Sequence, residues 1–231
     1  VREKSIVTPS PWRGLKARRA VFVPFDLPGR TLHRAVVAGK PREISRPYAR
    51  AYLGGDRVTI YGALGAPLTA IIMEELIASG VREFLLLGVG GSLSEDLMIG
   101  TPVCVTKAFS EEGTSRMYHS QKRAFFPSPQ LKRMVQLGLT ARGQTYEPGV
   151  VVTVDAPYRE TASWVRRNRR RGAVLVDMET SAVFSVAEHH GCRAASLLVV
   201  SDELVTGTWK NGLSDPRLDR AVSDCLAPFL G

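Results

Sequence analysis

VDMETSA (residues 176–182) and VVSDEL (residues 199–204) are the stretches on which the reading of this chain turns. Each follows a short apolar run of strand type, residues 173–176 and 194–200, so each delivers acidic side chains to the carboxyl end of a buried strand. In open α/β sheets that end is where ligands bind. A carboxylate there is costly to desolvate unless a hydroxyl, a cation or a proton meets it. Glu179 and Asp202 are therefore candidates for gripping a polyhydroxyl ligand and for moving a proton. The same residues also fit plain helix starts, because acids are favoured at helix amino ends.

Working outward, further strand-like runs occur at residues 20–25, 58–62, 84–89, 102–106 and 150–154. Helical patterns lie between and after them, at residues 67–79, 129–141, 160–171, 179–190 and 215–230. This alternation predicts a three-layer α/β fold with a largely parallel or mixed sheet. No Pro/Gly/Ser-rich linker divides the 231 residues, of which 44% are hydrophobic, so residues 1–231 read as one domain with one sizeable core. Residues 1–19 read as a basic N-terminal extension.

That extension is broken by prolines and is not built like a signal peptide, and no apolar span is long enough for a membrane helix. A cytoplasmic protein without a membrane partner is expected. Cys104, Cys192 and Cys225 are odd in number and form no CxxC pair, which supports neither a disulfide framework nor a zinc site. His33, His119, His189 and His190 form no metal-binding pattern, so no metal is expected. The net charge of +9 is densest in Arg166, Arg167, Arg169, Arg170 and Arg171. Without interleaved aromatics this arginine run reads as a solvated helix face, not a nucleic-acid interface, although the overall charge favours anionic small molecules.

GVGGSL (residues 88–93) follows a strand and reads as a tight glycine turn whose N–H groups approach a ligand, or as a plain turn between core elements. It lacks the third glycine of a dinucleotide fingerprint. Phe125, Phe126 and the neighbouring prolines read as an apolar loop over the base or against a partner, or as a buried surface loop.

In combination, EELIASGVREFLLLGVGGSL (residues 74–93), EEGTS (111–115), TVDAPYRET (153–161), VDMETSAVF (176–184) and VVSDEL resemble the nucleoside phosphorylase superfamily, most closely its uridine-phosphorylase-like branch. The resemblance covers roughly residues 20–205 and implies a mixed sheet forming a partial barrel flanked by helices. It implies cleavage of a nucleoside's N-glycosidic bond by inorganic phosphate without a cofactor, in a homo-oligomer (dimer or hexamer) with sites near subunit interfaces.

Carried onto this chain, the resemblance makes Met178 and Glu179 the ribose-binding pair and Asp202 the acid that protonates a leaving purine. An ionised carboxylate accepts from a vicinal diol and favours a cationic ribosyl transition state, while base protonation avoids a poor anionic leaving group. Tyr158 and Thr161 fall in the base-side loop, where Pro157 stands in place of a stacking aromatic. Because uridine-cleaving relatives have no acid at the Asp202 position, Asp202 points to a purine-like base. Arg217 matches a cation that assists the acid, or is a surface arginine.

The phosphate side departs from the family pattern. Phe25 precedes Asp26 in place of a glycine, Leu86 replaces an arginine, and Val89 replaces a hydroxyl residue. Leucine cannot imitate a bidentate guanidinium. Asp26, Arg30, Arg46, Arg50, Gly90 and Ser92 are the residues left to build a nucleophile site. Three expectations follow: a phosphorylase; a nucleosidase in which water is oriented by Asp26 or Glu112, hydrolytic relatives also lacking the arginine; and a sensor that binds nucleosides without turnover.

Overall fold

The strand-type runs form one mixed eleven-stranded sheet whose middle closes on itself. The computed structural model describes residues 5–27 and 30–230, with the side chains of Ser45 and Arg46 outside that description. The closed ring consists of β5 (Glu83–Ser92), β6 (Pro102–Ser110), β8 (Glu147–Thr153), β9 (Leu175–Asp177) and β10 (Arg193–Glu203). It closes because β5 pairs with both β9 and β10. From β5 the sheet runs out through β1 (Arg19–Val23), β4 (Arg57–Tyr61), β3 (Ala49–Gly54) and β2 (Arg42–Arg46). Two short strands, β7 (Ala124–Phe125) and β11 (Lys210–Asn211), border β6 and β10. The expected partial barrel is thus a complete five-strand ring with an open extension.

The central strands are apolar on both faces because helices cover both. Along β5, Phe84 and Leu86 point into a core shared with α2 (Ala66–Ala78) and α6 (Thr180–His189). Leu85 and Leu87 point into a second core with α4 (Pro129–Thr140) and α7 (Pro216–Ala221). Two helices, α1 (Thr31–Ala38) and α3 (Thr114–Tyr118), escaped the sequence reading, as did β2 and β3. The expected helix at 215–230 gives way after Ala221 to a π turn at Val222–Leu226 and a 3-10 turn at Ala227–Phe229. Pro228 has no N–H to continue an α-helical ladder. Of the basic extension, Trp12 is buried and donates its indole N–H to Glu75 on α2 at 2.7 Å.

The glycines of GVGGSL do not make a turn, for β5 runs unbroken to Ser92. They allow close packing inside the ring. A Cβ on Gly90 would lie 2.7 Å from the Val176 carbonyl oxygen, and one on Gly91 would lie 2.5 Å from Leu204 and 3.1 Å from Asp202 Oδ2. Leu93 follows in the core. Phe125 is buried, whereas Phe126 is exposed beneath Lys107.

Candidate active site

β9 ends in Asp177, and the chain then turns through Met178 and Glu179 into α6. This brings two carboxyl groups into the interior within three residues. Asp177 accepts from Thr153 Oγ1 at 2.7 Å and from the Thr180 N–H at 2.8 Å. Glu179, only 6% exposed, accepts from the Gly65 N–H at 2.6 Å. Gly65 has φ +88, a conformation that L side chains rarely adopt, and precedes α2, so the donor is aimed by a backbone turn suited to glycine. Burial, reinforced by the Asp177 carboxylate, pushes Glu179 up to about 8. Burial raises Asp177 as well. At neutral pH the pair therefore retains a proton, and the fully ionised Glu179 expected from sequence is reached only when further donors, such as sugar hydroxyls, stabilise it.

Asp202 arrives by a different device. β10 pairs with β5 in regular parallel register up to Val200, where the register shifts so that Asp202 faces Gly91. The irregularity at Ser201 turns the carboxylate toward the cavity. There Oδ1 accepts from Ser201 Oγ at 2.6 Å and Oδ2 from Trp209 Nε1 at 2.8 Å. The missing Cβ of Gly91 leaves room for Oδ2.

Met178, Glu179, Asp177, Asp202 and Gly90 all line one cavity of about 190 Å³, closed elsewhere by Phe25, Leu64, Pro157 and Glu160. Glu160 is pushed up to about 7 by burial and by the Asp202 charge. The sequence reading thus brought Glu179, Met178, Asp202 and Gly90 together. It did not single out Glu160 and Asp177, although both lie inside quoted segments (residues 153–161 and 176–182), or Trp209, an indole 61% exposed just before β11.

The remaining expected residues lie elsewhere. Tyr158 is 96% exposed and outside the lining, and Thr161 Oγ1 caps α5 (Ala162–Arg170) by accepting from the Trp164 N–H. Asp26 accepts four bonds, from the N–H groups of Leu27, Leu32 and His33 and from the Tyr61 hydroxyl, so its carboxylate anchors the start of α1. Arg30 and Arg50 are exposed, and the Arg46 side chain lies outside the described residues. Ser92 is buried and closes a local turn with Ser94. Glu112 is buried among Ser110, Ser115 and Ser181, which occupy its oxygens, and does not line the cavity. Arg217 pairs with Asp215, not with Asp202. Arg167 on α5 and Arg171 just after it pair with Glu111, and Arg169 pairs with Glu95, in keeping with an ion-paired surface. Among the described residues no group of histidine, cysteine and acidic side chains is arranged to hold a metal, and no helix is long and apolar enough to cross a membrane.

This architecture has known counterparts. The family model described as the phosphorylase superfamily matches residues 27–226. A guanosine phosphorylase from Halorubrum lacusprofundi is 33% identical over 177 residues, covering 75% of this chain and 72% of the relative. A DeoD-type purine nucleoside phosphorylase from Geobacillus kaustophilus is 30% identical over 158 residues, covering 66% of each chain. The fold is shared with a purine nucleoside phosphorylase from Toxoplasma gondii solved with immucillin-H. The TM-score is 0.82 at 18% identity, covering 100% of this chain and 96% of that one.

Proposed function

The chain belongs to the phosphorylase superfamily, and on that premise we propose that it cleaves the N-glycosidic bond of a purine-type nucleoside with inorganic phosphate, giving free base and ribose 1-phosphate. The observation that carries the proposal is the convergence of Met178, Glu179 and Asp202 on one cavity. Ribose hydroxyls meet Glu179, which stabilises positive charge developing at the anomeric carbon. The bond from that carbon to the base nitrogen breaks, a phosphate oxygen forms the new bond, and Asp202 delivers a proton to the leaving base. An acid at position 202 and the purine-type names of the relatives both favour a purine over uracil. The same proposal has the enzyme working in the cytoplasm as a homo-oligomer without a resident cofactor.

One observation favours water as the nucleophile instead. Among the described residues lining the cavity are four carboxyl groups, Glu160, Asp177, Glu179 and Asp202, and no lysine or arginine. A phosphate dianion entering such a site meets repulsion unless cations such as Arg30 and Arg50, or those of a neighbouring copy, reach it. The discriminating experiment incubates the protein with a panel of nucleosides, with and without phosphate, and measures free base, ribose and ribose 1-phosphate. Phosphorolysis predicts phosphate-dependent release with ribose 1-phosphate as product. Release unchanged by omitting phosphate assigns hydrolysis, and binding without release across the panel overturns both.

A further inference from the structure

A second cavity, of about 230 Å³, is lined by Arg18, Gly80, Arg82, Glu83 and Arg193. It opens where β5 and β10 begin, whereas Gly91 and Asp202, which line the first cavity, stand near the far ends of the same two strands. At about 3.3 Å per strand residue the two cavities are roughly 25 Å apart. The three lining arginines are fixed in a row by their own backbones. Arg193 N–H donates to the Arg82 carbonyl at 2.9 Å, and Arg82 N–H to the Arg18 carbonyl at 3.1 Å. Parallel pairing of β1 and β10 on either side of β5 sets that row. The one lining acid is already taken: Glu83 accepts from Arg19 Nη2 and Nε through one oxygen, at 2.6 and 2.9 Å, and from Arg193 Nη2 through the other, at 2.6 Å. Arg82 Nη1 donates to the Ile77 and Val81 carbonyls at 2.8 Å, which fixes the guanidinium plane and leaves its other nitrogens for a ligand. Arg18 makes no side-chain hydrogen bond or ion pair among the described residues. Four arginines (18, 19, 82 and 193) against one glutamate leave an excess of three positive charges. Like charges held side by side repel, and nothing in the fold offsets that cost. An anion entering the row would.

We propose that this second cavity binds an oligophosphate, two or more linked phosphoryl groups, at a site separate from the catalytic cavity. Such a site stands whether or not the first cavity cleaves nucleosides. Two phosphoryl groups carry roughly three to four negative charges at neutral pH, which matches the excess on the arginines. A guanidinium is a planar fork that pairs two phosphate oxygens at once, and a row of such forks meets successive phosphoryl groups in turn. A single orthophosphate neutralises only part of the row. Arg18, Arg82 and Arg193 are all exposed, so a ligand reaches them from solvent. On the remaining side Gly80 carries no side chain, and a Cβ there would meet nothing within 4 Å, so the cavity stays open. A free diphosphate and the diphosphate of a nucleotide share this chemistry.

Binding is measured directly, without reference to cleavage. Inorganic pyrophosphate, orthophosphate and ADP are titrated calorimetrically into the full chain at fixed ionic strength and without divalent metal. The same titrations are made on three double variants. Arg18→Gln with Arg82→Gln empties the row. Arg166→Gln with Arg170→Gln removes the same charge from exposed positions on α5, and Arg30→Ala with Arg50→Ala removes the cations expected at the nucleophile. Pyrophosphate is expected to bind with a Kd below about 1 mM and at least about tenfold more tightly than orthophosphate. Its affinity should fall at least about tenfold in the Arg18 and Arg82 variant and by less than about twofold in the other two. ADP bound more tightly than pyrophosphate, and lost with the same pair, assigns a nucleotide as the source of the diphosphate; ADP bound equally or more weakly assigns the free ion. Either result upholds the site. Absence of pyrophosphate binding, orthophosphate bound as tightly, a loss as large in the α5 pair, or a loss that follows Arg30 and Arg50 instead overturns the proposal. Unfolding midpoints without ligand check that each variant folds. If the Arg18 and Arg82 variant does not fold, Arg18→Gln alone, at a side chain without a protein partner, carries the test with an expected loss of at least about threefold.

Discussion

Two flanks of the molecule are built on different kinds of support. Asp177, Glu179 and Asp202 stand at or just past the ends of β9 and β10, strands of the closed ring that are paired on both sides. Asp26, Arg30 and Arg50 belong to the loop after β1, the start of α1 and the β2–β3 hairpin at the open end of the sheet. On the first flank, acids are buried at a cost that only a rigid frame sustains. On the second, the acid is consumed in anchoring a helix and the arginines face solvent. On the proposed function, the end that holds ribose and base is preorganised, whereas Asp26, Arg30 and Arg50, the residues expected at the nucleophile, stand outside the cavity lining.

The largest expected effect tests the second flank. Asp26→Ala removes the acceptor for three backbone N–H groups and the Tyr61 hydroxyl. The expected loss is about 2–3 kcal/mol of stability in urea unfolding, because buried donors are left unsatisfied. If stability holds while phosphate dependence disappears, Asp26 acts at the nucleophile and the contrast between flanks is wrong.

Next come the acids of the ring. Glu179→Gln and Asp202→Asn are each expected to lower the rate of base release at least about tenfold, roughly 1.4 kcal/mol of transition-state stabilisation. Steady-state rates equal to wild type in either variant would show that the chemistry lies elsewhere.

A pH titration sharpens the same point. Glu179 is raised to about 8, so between the ordinary carboxyl range and pH 8 the folded protein binds a proton that the unfolded chain has lost. Its contribution to stability is complete at low pH and declines as pH rises toward 8, by at most about 1.4 kcal/mol per pH unit. Glu160 and Asp177 act in the same direction. Unfolding midpoints measured from pH 5 to about 8.5 should fall for wild type and flatten in Glu179→Gln. An unchanged slope would mean that Glu179 is ionised in the free protein.

The smallest effect belongs to the exposed arginines. Arg30→Ala and Arg50→Ala are expected to raise the KM for phosphate by about threefold to fivefold, the loss of roughly 0.6–1 kcal/mol typical of exposed charge contacts, with kcat for the chemical step little changed. A phosphate KM unaffected by both removes them from the site and strengthens the case for water.

Much of the site was legible because its signals are local. A run such as residues 194–200 followed by Ser201 and Asp202 announces a strand delivering an acid, and a buried strand that turns into an apolar-striped helix announces Glu179. The hairpin of β2 and β3 was not legible, since REISR and ARAYLG are polar or mixed runs that become strands through pairing with each other and with β4. Tyr158 was expected at the base because it sits in the right loop. Its direction depends on the turn at residues 157–159, which points the ring to solvent and brings Glu160 inward.

The sequence by itself determined the alternation of strands and helices and the two acids at strand ends. These are properties of neighbouring residues, expressed through periodicity and turn chemistry. Only the tertiary structure decided that the sheet closes, that an irregularity at Ser201 aims Asp202 past a side-chain-free Gly91, and that burial, reinforced by Asp177, raises Glu179. It likewise decided that Glu160 faces an already occupied Asp202 while Asp26 is consumed by α1. Each of these depends on strand register or on burial, and both are set by contacts between residues far apart in the chain.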